Sequence, residues 1–306
     1  MSQEQYLRKC TLLVTDKAGE GLDLSLLHIK FIIKRSDTQT PNMAEITIFN
    51  LEEQTVNRIQ KEFSKVILQG GYESNFGVIF QGNIKQVIKG KENATDTFIT
   101  IIAGDGDLSY NFAVVNTTIA AGSSQKEQIQ AAASAMKAGG TNLGFVDNLP
   151  KATLPRGKVM YGMSRDYLKQ AANTTKQAWS IQDGQIQFVP LTSYLPGEAV
   201  VLTSKTGLIG TPQQTNEGVN CKALMNPKIK VGGRVQLDNA SIARMKINLA
   251  TPNSPANIPA PINADGMYYV FVIEHQGDNR GNDWFTNLTM LNISVSSNPL
   301  NSVSIG

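Results

Sequence analysis

The polar residues between the last two apolar runs of the chain are the first candidates for chemistry. The segment HQGDNRGNDW, residues 275–284, holds a histidine, two aspartates and an arginine. His275 precedes Asp278 by three residues and Asp283 by eight, a spacing that could bring imidazole and carboxylate ligands to a divalent metal. No second histidine or cysteine lies nearby, and a hairpin loop needs the same polar residues and glycines. We therefore interpret the segment as the loop of a hairpin.

The other candidate motifs lack residues that their chemistry needs. His28 lies on the polar face of a predicted strand, with no nucleophile paired to it in the sequence. Asp105 and Asp107 alternate as in a calcium loop, but the glycine and distal glutamate of an EF-hand are missing, so a β-turn is expected there. Gly70-Gly71 and Gly232-Gly233 lack the pattern of a phosphate-binding loop. The sequence predicts no catalytic, cofactor-binding or metal site, although carboxylates from distant positions leave a peptidoglycan hydrolase open.

Charge and hydropathy bear on the partners of the chain. Its 306 residues carry a formal net charge of +3 with scattered lysines and arginines, so no sequence-specific nucleic-acid binding is expected. No run approaches the roughly 18 apolar residues of a transmembrane helix, and the first residues lack a signal-peptide pattern. We therefore expect no membrane insertion and a location in the cytoplasm. Cys10 and Cys221 favour two reduced thiols, with a single disulfide left open.

Hydrophobic periodicity predicts a β-region over residues 1–111. From Leu26 to Lys34 the apolar residues alternate with a period of two, which indicates a strand. Further strands follow from residue 44, and the spacing of apolar residues in 51–63 predicts one short helix between them. Five or more strands in this length are typical of a small β-barrel or sandwich.

Helical patterns appear over residues 112–195. Ser124 and Glu127 have the spacing of a capping box before a first helix, and Ser164 is the expected N-cap of a second. Asp183-Gly184 is a favourable two-residue hairpin turn. These features predict a compact α/β insert.

Strand patterns return over residues 196–306. Alternation over Val219–Met225 predicts a strand. Ile229–Val231 and Val235–Leu237 flank Gly232-Gly233, and we expect a strand, a turn and a strand. A long hairpin over 268–293, apolar on both faces, closes the chain. The predicted fold is mainly β, with an α/β insert between two β-domains.

Three stretches together resemble a known family. They are FQGNIKQVIKGKENATDTFITIIAGDGDLSYNFAVVNTTIAAGSSQKEQIQ, TGLIGTPQQTNEGVNCKALMNPKIKVGGRVQL and YYVFVIEHQGDNRGNDWFTNLTML. In this order they resemble segments of the baseplate hub proteins of contractile-tailed bacteriophages, and the resemblance spans residues 25–295. It implies that residues 1–111 and 196–306 are tail-tube-like β-barrel domains on either side of the insert.

The resemblance also implies a structural function rather than an enzymatic one. Such hubs are homotrimers whose six barrels form a pseudo-sixfold ring, which matches a hexameric tail tube on one side and a trimeric central spike on the other. The expected partners are a second and third copy of the chain, the tail tube protein, the spike protein and other baseplate proteins. The expected location is the tail tip of the virion, with a channel for DNA ejection and assembly in the host cytoplasm.

Two polar loops are the sequence-based candidates for contacts between subunits. The candidate residues are Gln213, Gln214, Thr215, Asn216, Gly277, Asp278, Asn279 and Arg280. A tail-associated peptidoglycan hydrolase, and the hub of a tailocin or a type VI-like injection particle, are the alternative functions.

Overall fold

The structure is a computed structural model that describes residues 6–16, 19–147, 149–246 and 254–293. Within these residues, four α-helices interrupt the strands: α1 (Glu53–Lys61), α2 (Asp107–Phe112), α3 (Gln125–Met136) and α4 (Ser164–Thr175). The strands are β1 (Arg8–Thr15), β2 (Gly21–Asp23), β3 (Ile29–Ser36), β4 (Met43–Phe49), β5 (Lys65–Tyr72), β6 (Asn75–Lys91), β7 (Thr97–Gly104), β8 (Val114–Ile119), β9 (Asn142–Val146), β10 (Lys158–Met163), β11 (Gln177–Gln182), β12 (Gln185–Pro190), β13 (Val200–Leu202), β14 (Leu208–Gln214), β15 (Val219–Leu224), β16 (Arg234–Leu237), β17 (Met267–Asp278) and β18 (Trp284–Leu291). The predicted mainly β fold with an α/β insert is confirmed.

Buried and exposed residues alternate along the strands of the first β-region. In β3, Ile29, Phe31 and Ile33 are buried, while the residues between them are exposed. The same alternation in β1, β4, β5 and β7 places one face of every strand in a single hydrophobic core, closed at one side by α1. The sheet therefore curls around this core.

One continuous sheet of thirteen strands joins the two β-regions. Its main path runs β14-β15-β18-β17-β3-β4-β7-β6-β5-β1-β2. The beginning of β17 pairs with β16 through Met267–Tyr269, and its end pairs with β3 through Val272–Asp278. Backbone hydrogen bonds thus connect the regions directly, a pairing that local patterns in the sequence do not predict.

The described residues form four hydrophobic cores, three of which follow one another along the chain, while a small fourth joins Val189 of the insert to Tyr269, Leu291 and Ile293. The second core lies between α3, α4, β11 and β12, and the third lies among β15 to β18. Met225 and Trp284 depart from this order, because they come from the last part of the chain and lie in the first core. The domain boundaries at 111/112 and 195/196 remain predictions, and the first of them falls within α2.

Of the capping and turn features predicted for the insert, two are confirmed and one is wrong. Ser124 and Glu127 form the predicted capping box of α3. Asp183 and Gly184 have φ values of 53° and 72° and close the hairpin between β11 and β12, as predicted. The predicted N-cap role of Ser164 is wrong, because α4 begins at this residue and Met163 precedes it as the cap. The Ser164 N–H donates to Ala113 O, which fixes the start of the helix against the residue before β8.

Two further expectations are corrected. The turn expected at Asp105 and Asp107 is limited to Asp105-Gly106, and α2 starts at the second aspartate. Ile229–Val231 does not form a strand, because hydrogen bonds from Ile229 N to Asn226 O and from Gly233 N to Lys230 O turn the backbone there. Ile229 and Val231 are nevertheless buried in the third core.

Candidate assembly interface

The hairpin of β17 and β18 is confirmed, but its tip is shorter than predicted. His275 lies within β17 and faces Thr286 of β18, with 2.9 Å between Nδ1 and Oγ1. Burial, with the positive charges of Arg35 and Lys230, lowers the pKa of His275 to about 3. The imidazole is therefore neutral at neutral pH, and at 1% exposure it is enclosed within the hairpin rather than presented at its loop.

The other histidine of the chain is the partner of Asp278. His28 Nε2 lies 2.8 Å from Asp278 Oδ1, and the His28 ring stacks on Phe49 at 4.5 Å. Asp278 also accepts hydrogen bonds from the backbone N–H groups of Arg280 and Gly281. Burial raises the pKa of Asp278, but these amide donors and His28 outweigh it and hold the pKa below its usual value. Asp278 is thus a carboxylate whose hydrogen bonds fix the backbone of the hairpin tip.

Side chains of the tip bind the segment that leads into β3. Asn279 Oδ1 accepts from Ile29 N at 2.9 Å, and Asn279 Nδ2 donates to Leu27 O at 2.7 Å. Arg280 Nη2 donates to Leu26 O at 3.2 Å. The structure therefore brings the predicted residues 277–280 together, in contacts within their own chain.

Gly277 is required by packing against the first core. A Cβ atom at this position would lie 2.4 Å from Cζ of Phe31. The Phe31 ring packs edge-on against Trp284, whose Nε1 donates to Gly71 O at 3.1 Å. The glycine thus allows β17 to lie close over Phe31, rather than supplying the geometry of the loop as expected.

The surface beside the tip combines one exposed apolar side chain with two polar residues. We use the name tip patch for Leu26, Asn279 and Arg280. The Leu26 side chain is 94% exposed, although its backbone is fixed by Arg280. Gly277 and Asp278 are buried beneath the patch, so Asn279 and Arg280 are the predicted contact residues that reach this surface.

The second candidate loop lies at the opposite end of β18. Gln214 donates through Nε2 to Ala260 O, and Thr215 Oγ1 donates to Gly218 O. Gln213 and Asn216 are exposed at the end of β14, the last strand on one side of the sheet path. Because β15 beside this loop pairs with the far end of β18, the two loops lie roughly 20 Å apart along the strand direction. They form separate surfaces.

A partly buried ionic cluster joins the three parts of the chain. Arg35 of β3 is 2% exposed, and its Nη2 lies 3.0 Å from Asp183 Oδ2 in the turn between β11 and β12. Lys230, which precedes β16, places Nζ 3.1 Å from the same oxygen. Burial raises the pKa of Asp183, but Arg35 and Lys230 more than offset this and lower it. We call Arg35, Asp183 and Lys230 the junction cluster.

Two further carboxyl groups are buried in this part of the fold, and one of them, Asp105, contacts the junction cluster. Asp105 accepts hydrogen bonds from Asp183 N and Gly184 N, at 2.6 and 2.8 Å. Asp37 accepts one from the hydroxyl of Tyr269 in β17. Burial raises the pKa of each carboxyl to about 7. The sequence indicates Asp183 only as a turn residue, and it does not reveal the cluster because the three members lie far apart along the chain.

The profile of one known protein family matches most of the chain. The profile of a family described as Baseplate hub gp41 matches residues 9–242. The chain belongs to the baseplate hub gp41 family. The predicted resemblance is thereby confirmed, and the family is one of structural tail components. No curated protein gives a significant match to this hub chain.

Solved structures of tail proteins share the fold of the hub chain. The 43 kDa tail protein of prophage MuSo2 from Shewanella oneidensis is 6% identical, with a TM-score of 0.56, and the match covers 92% of this chain and 98% of that one. A tail protein from Neisseria meningitidis MC58 is 9% identical, with a TM-score of 0.57 and coverage of 93% and 96%.

A component of a secretion system has the same fold. This Escherichia coli protein is described as a component of the type VI secretion system, with structural similarity to the bacteriophage T4 tail proteins gp27 and gp5. It is 7% identical to the hub chain, with a TM-score of 0.53 and coverage of 89% of this chain and 75% of that one. At these identities the similarity shows the fold alone.

The described part of the hub chain contains no group of three or more His, Cys, Asp or Glu residues arranged to hold a metal ion. None of its helices there has the length and hydropathy needed to cross a bilayer. Cys10 and Cys221 are both free thiols, so the disulfide left open by the sequence is absent.

The pH dependence of stability tests whether His275 is enclosed in the folded chain. Its pKa is about 3 in the folded chain and 6.5 for an exposed histidine, so the unfolded state binds the extra proton below pH 6.5 and folding loses stability as the pH falls. We expect the wild type to lose about 2 kcal/mol relative to His275→Gln between pH 7 and pH 5. Urea unfolding of both proteins measures this difference, in which the titrations of Asp37 and Asp105 cancel. Parallel stability curves would show that His275 is accessible to protons in the folded chain.

Proposed function

We propose that the chain forms a homotrimeric ring with pseudo-sixfold symmetry at the tail tip of a virion. In this ring, two tail-tube-like β-barrels from each chain face a hexameric tail tube on one side, and the trimeric central spike binds the other side. The observation that carries the proposal is the shared strand β17, which joins both β-regions in one sheet. Because backbone hydrogen bonds hold the two regions together, each chain would supply two units at a fixed spacing.

Symmetry explains how the subunits would meet. A head-to-tail contact between identical chains closes into a ring when its rotation fits the number of subunits. The main path of the described sheet ends at β14 on one side and at β2 on the other. Such edges offer unpaired backbone groups to a neighbouring chain, and the tip patch and the exposed residues Gln213 and Asn216 would contribute contacts outside the sheet.

The ring would enclose a channel for DNA ejection and bind other baseplate proteins around its rim. A net charge of +3 over 306 residues suits passage of a polyanion, since strong attraction would retain it. The function is structural and needs no catalytic group, and the neutral, buried His275 supports this assignment over a peptidoglycan hydrolase. Assembly would take place in the host cytoplasm.

The size of the purified full-length chain tests the ring. Sedimentation equilibrium is expected to give a mass three times the chain mass of 33.2 kDa, and imaging of purified tails should place the chain between tube and spike. A monomer at every concentration, absent from that position in the tails, would overturn the proposal.

A hub of a type VI-like or tailocin particle is the second candidate function. The observation that favours it is the shared fold of the type VI secretion component, with a TM-score of 0.53. Both functions use the same ring, so the size of the chain cannot separate them. Capsid genes beside the gene for this chain would indicate a phage, and their absence a particle without a head.

A further inference from the structure

The turn between β11 and β12 holds the insert against the first β-region through polar contacts. We use the name insert turn for residues 181–184, which close this hairpin. Asn42 Nδ2 donates to Ile181 O at 2.9 Å, beside the start of β4. Gln182 Nε2 donates at 2.8 Å to the carbonyl of Ser36, the last residue of β3. Among the described residues the first core contains none from the insert, so hydrogen bonds and charges connect the two at this turn.

Asp105, which follows β7, binds the backbone of the insert turn. The residue is 2% exposed. Its Oδ2 accepts a hydrogen bond from Asp183 N, and its Oδ1 accepts one from Gly184 N. The N–H of Asp105 donates to Asn42 O at 2.9 Å, which fixes its backbone beside β4. One buried carboxyl group thus bridges the first β-region and the insert through both of its oxygens.

Charges from other parts of the chain face Asp105. Burial has the largest effect on its pKa and raises it, whereas the charge of Arg35 in β3 and the two amide donors of the insert turn lower it. The charge of Asp183 adds to the increase, and the resulting pKa is about 7. Lys230, before β16, also interacts with Asp105 through its charge. His275 of β17 lies beside the same charges but is neutral, since its pKa is about 3. Asp105 therefore changes its charge near neutral pH.

A second buried carboxyl group lies along the same boundary. Asp37, the first residue after β3, accepts hydrogen bonds from the hydroxyl groups of Tyr269 in β17 and Ser180 in β11. Burial raises the pKa of Asp37 to about 7, although both hydroxyl groups lower it. Asp37 and Asp105 thus bind residues in the insert turn or next to it.

We propose that the insert turn is a proton-dependent latch, which holds the insert against the first β-region most tightly when Asp105 is protonated and loosens as the pH rises through neutrality. In an open turn Asp105 would be exposed to water with the ordinary pKa of 3.8, whereas in the closed turn its pKa is about 7. The stabilisation of the closed turn is therefore complete below about pH 4 and is lost as the pH rises through about 7.

The direction of the effect follows from the surroundings of the carboxylate. An ionised Asp105 is unfavourable in the closed turn because it is buried and faces the negative charge of Asp183. In the open turn water would surround the carboxylate, so ionisation favours opening. The inference concerns the single chain and does not depend on the trimeric ring.

Hydrogen–deuterium exchange of the full-length chain tests the latch. The protection factor is the ratio of the intrinsic to the observed exchange rate, so it removes the direct effect of pH on exchange. The N–H groups of Asp183 and Gly184 donate to Asp105 and exchange when the insert turn opens. We expect their protection to be at least about tenfold lower at pH 8 than at pH 6, since a pKa of about 7 in the closed turn and 3.8 in the open turn changes the opening equilibrium by this factor.

A comparison with β4 shows whether the opening is local. Ile46 and Ile48 of β4 are fully buried in the first core, so their amides are expected to exchange only when the fold opens more widely. The latch requires the amides of the insert turn to be less protected than those of β4 at both pH 6 and pH 8.

Substitutions of aspartate make the test specific. Asp105→Asn keeps the size and an acceptor oxygen but cannot lose a proton, so the pH dependence of protection in the insert turn should shrink by about tenfold. Asp107→Asn is the matched control, because Asp107 lies two residues away and pairs with Lys85 at 2.9 Å rather than with the insert turn. This control should keep the pH dependence of the wild type. Thermal unfolding of each variant confirms that it is folded.

Three results would overturn the proposal. The first is equal protection of the insert turn at pH 6 and pH 8 in the wild type. The second is equal protection of the insert turn and β4, which would mean that the turn opens only with the whole fold. The third is the same pH dependence in Asp105→Asn as in Asp107→Asn. The first two results come from the wild type alone, so they do not require that the variants fold.

Discussion

Arg35→Met is expected to lower the free energy of unfolding by about 2–4 kcal/mol at neutral pH. Arg35 is the fully buried cation of the junction cluster, with a side chain that is 2% exposed. Its Nη1 donates to Ile79 O at 3.1 Å, and its Nη2 contacts Asp183 at 3.0 Å. Methionine fills a similar volume but leaves this carbonyl without its donor and leaves Asp183 with Lys230 as its one cationic partner among the described residues.

The size of the effect follows from the charges that remain. After the substitution, Lys230 alone faces Asp183, and Asp105 loses the nearby positive charge that lowers its pKa. The lost donor also leaves the Ile79 carbonyl and the Gln182 side-chain oxygen without their hydrogen bonds from Arg35, and a buried acceptor without its donor costs about 1–3 kcal/mol. Because the cluster connects β3, the insert and the segment before β16, the loss is expected to weaken the contact between all three.

Urea unfolding measures the change, read from the midpoint at constant slope. Lys34→Met is the matched control, since this neighbouring residue of β3 is exposed and pairs with Glu274 at 3.6 Å. We expect the control to cost less than about 1 kcal/mol. In Arg35→Met/Asp183→Asn the two losses should not add, because each substitution removes the same contact between Arg35 and Asp183. Equal, small losses in Arg35→Met and Lys34→Met would show that the cluster does not stabilise the fold.

Local signals predicted those elements whose determinants lie close together in the sequence. The alternation of Ile29, Phe31 and Ile33 is enough to identify β3, because each residue reports its own face of the strand. The capping box at Ser124 and the turn at Asp183 are likewise decided within four residues or fewer. The hairpin of β17 and β18 was predicted for the same reason.

The remaining features depend on contacts between distant parts of the chain. The pairing of β17 with β3 is specified by surfaces such as Gly277 over Phe31, which no local pattern contains. This packing also explains why the sequence pattern predicts a loop that begins at His275. Gly277 resembles a turn residue, but here it continues a buried strand, so the neighbouring histidine is enclosed. The partner of Asp278 was missed because His28 approaches it from the start of the chain.

The tip patch leads to the second large effect, which is on assembly. We expect Leu26→Glu to weaken association between chains by roughly thirtyfold per contact, because a charge buried in an interface without a partner costs about 2 kcal/mol or more. Leu26 is 94% exposed in the single chain, so the free energy of unfolding of the chain itself should change by no more than about 0.5 kcal/mol. Sedimentation at a series of concentrations would follow the shift from trimer towards monomer.

The choice of Leu26 follows from its rigidity as well as its exposure. Leu27 N donates to Leu24 O, and Arg280 holds Leu26 O, so the exposed side chain stands on a fixed turn. A rigid apolar side chain loses little conformational entropy when a partner covers it, which makes it an effective anchor.

Val159→Glu is the matched control for this assembly effect. Val159 is 70% exposed on β10 of the insert, so the two variants add the same charge at an exposed aliphatic position of different surfaces. If both variants weaken the trimer equally, added negative charge rather than the tip patch explains the result. If Leu26→Glu leaves the trimer intact and Val159→Glu dissociates it, the contact lies on the insert. Only selective loss with Leu26→Glu assigns the subunit contact to the hairpin tip, because there Arg280 and Asn279 hold the backbone of Leu26 and Leu27 and fix an apolar side chain at the surface.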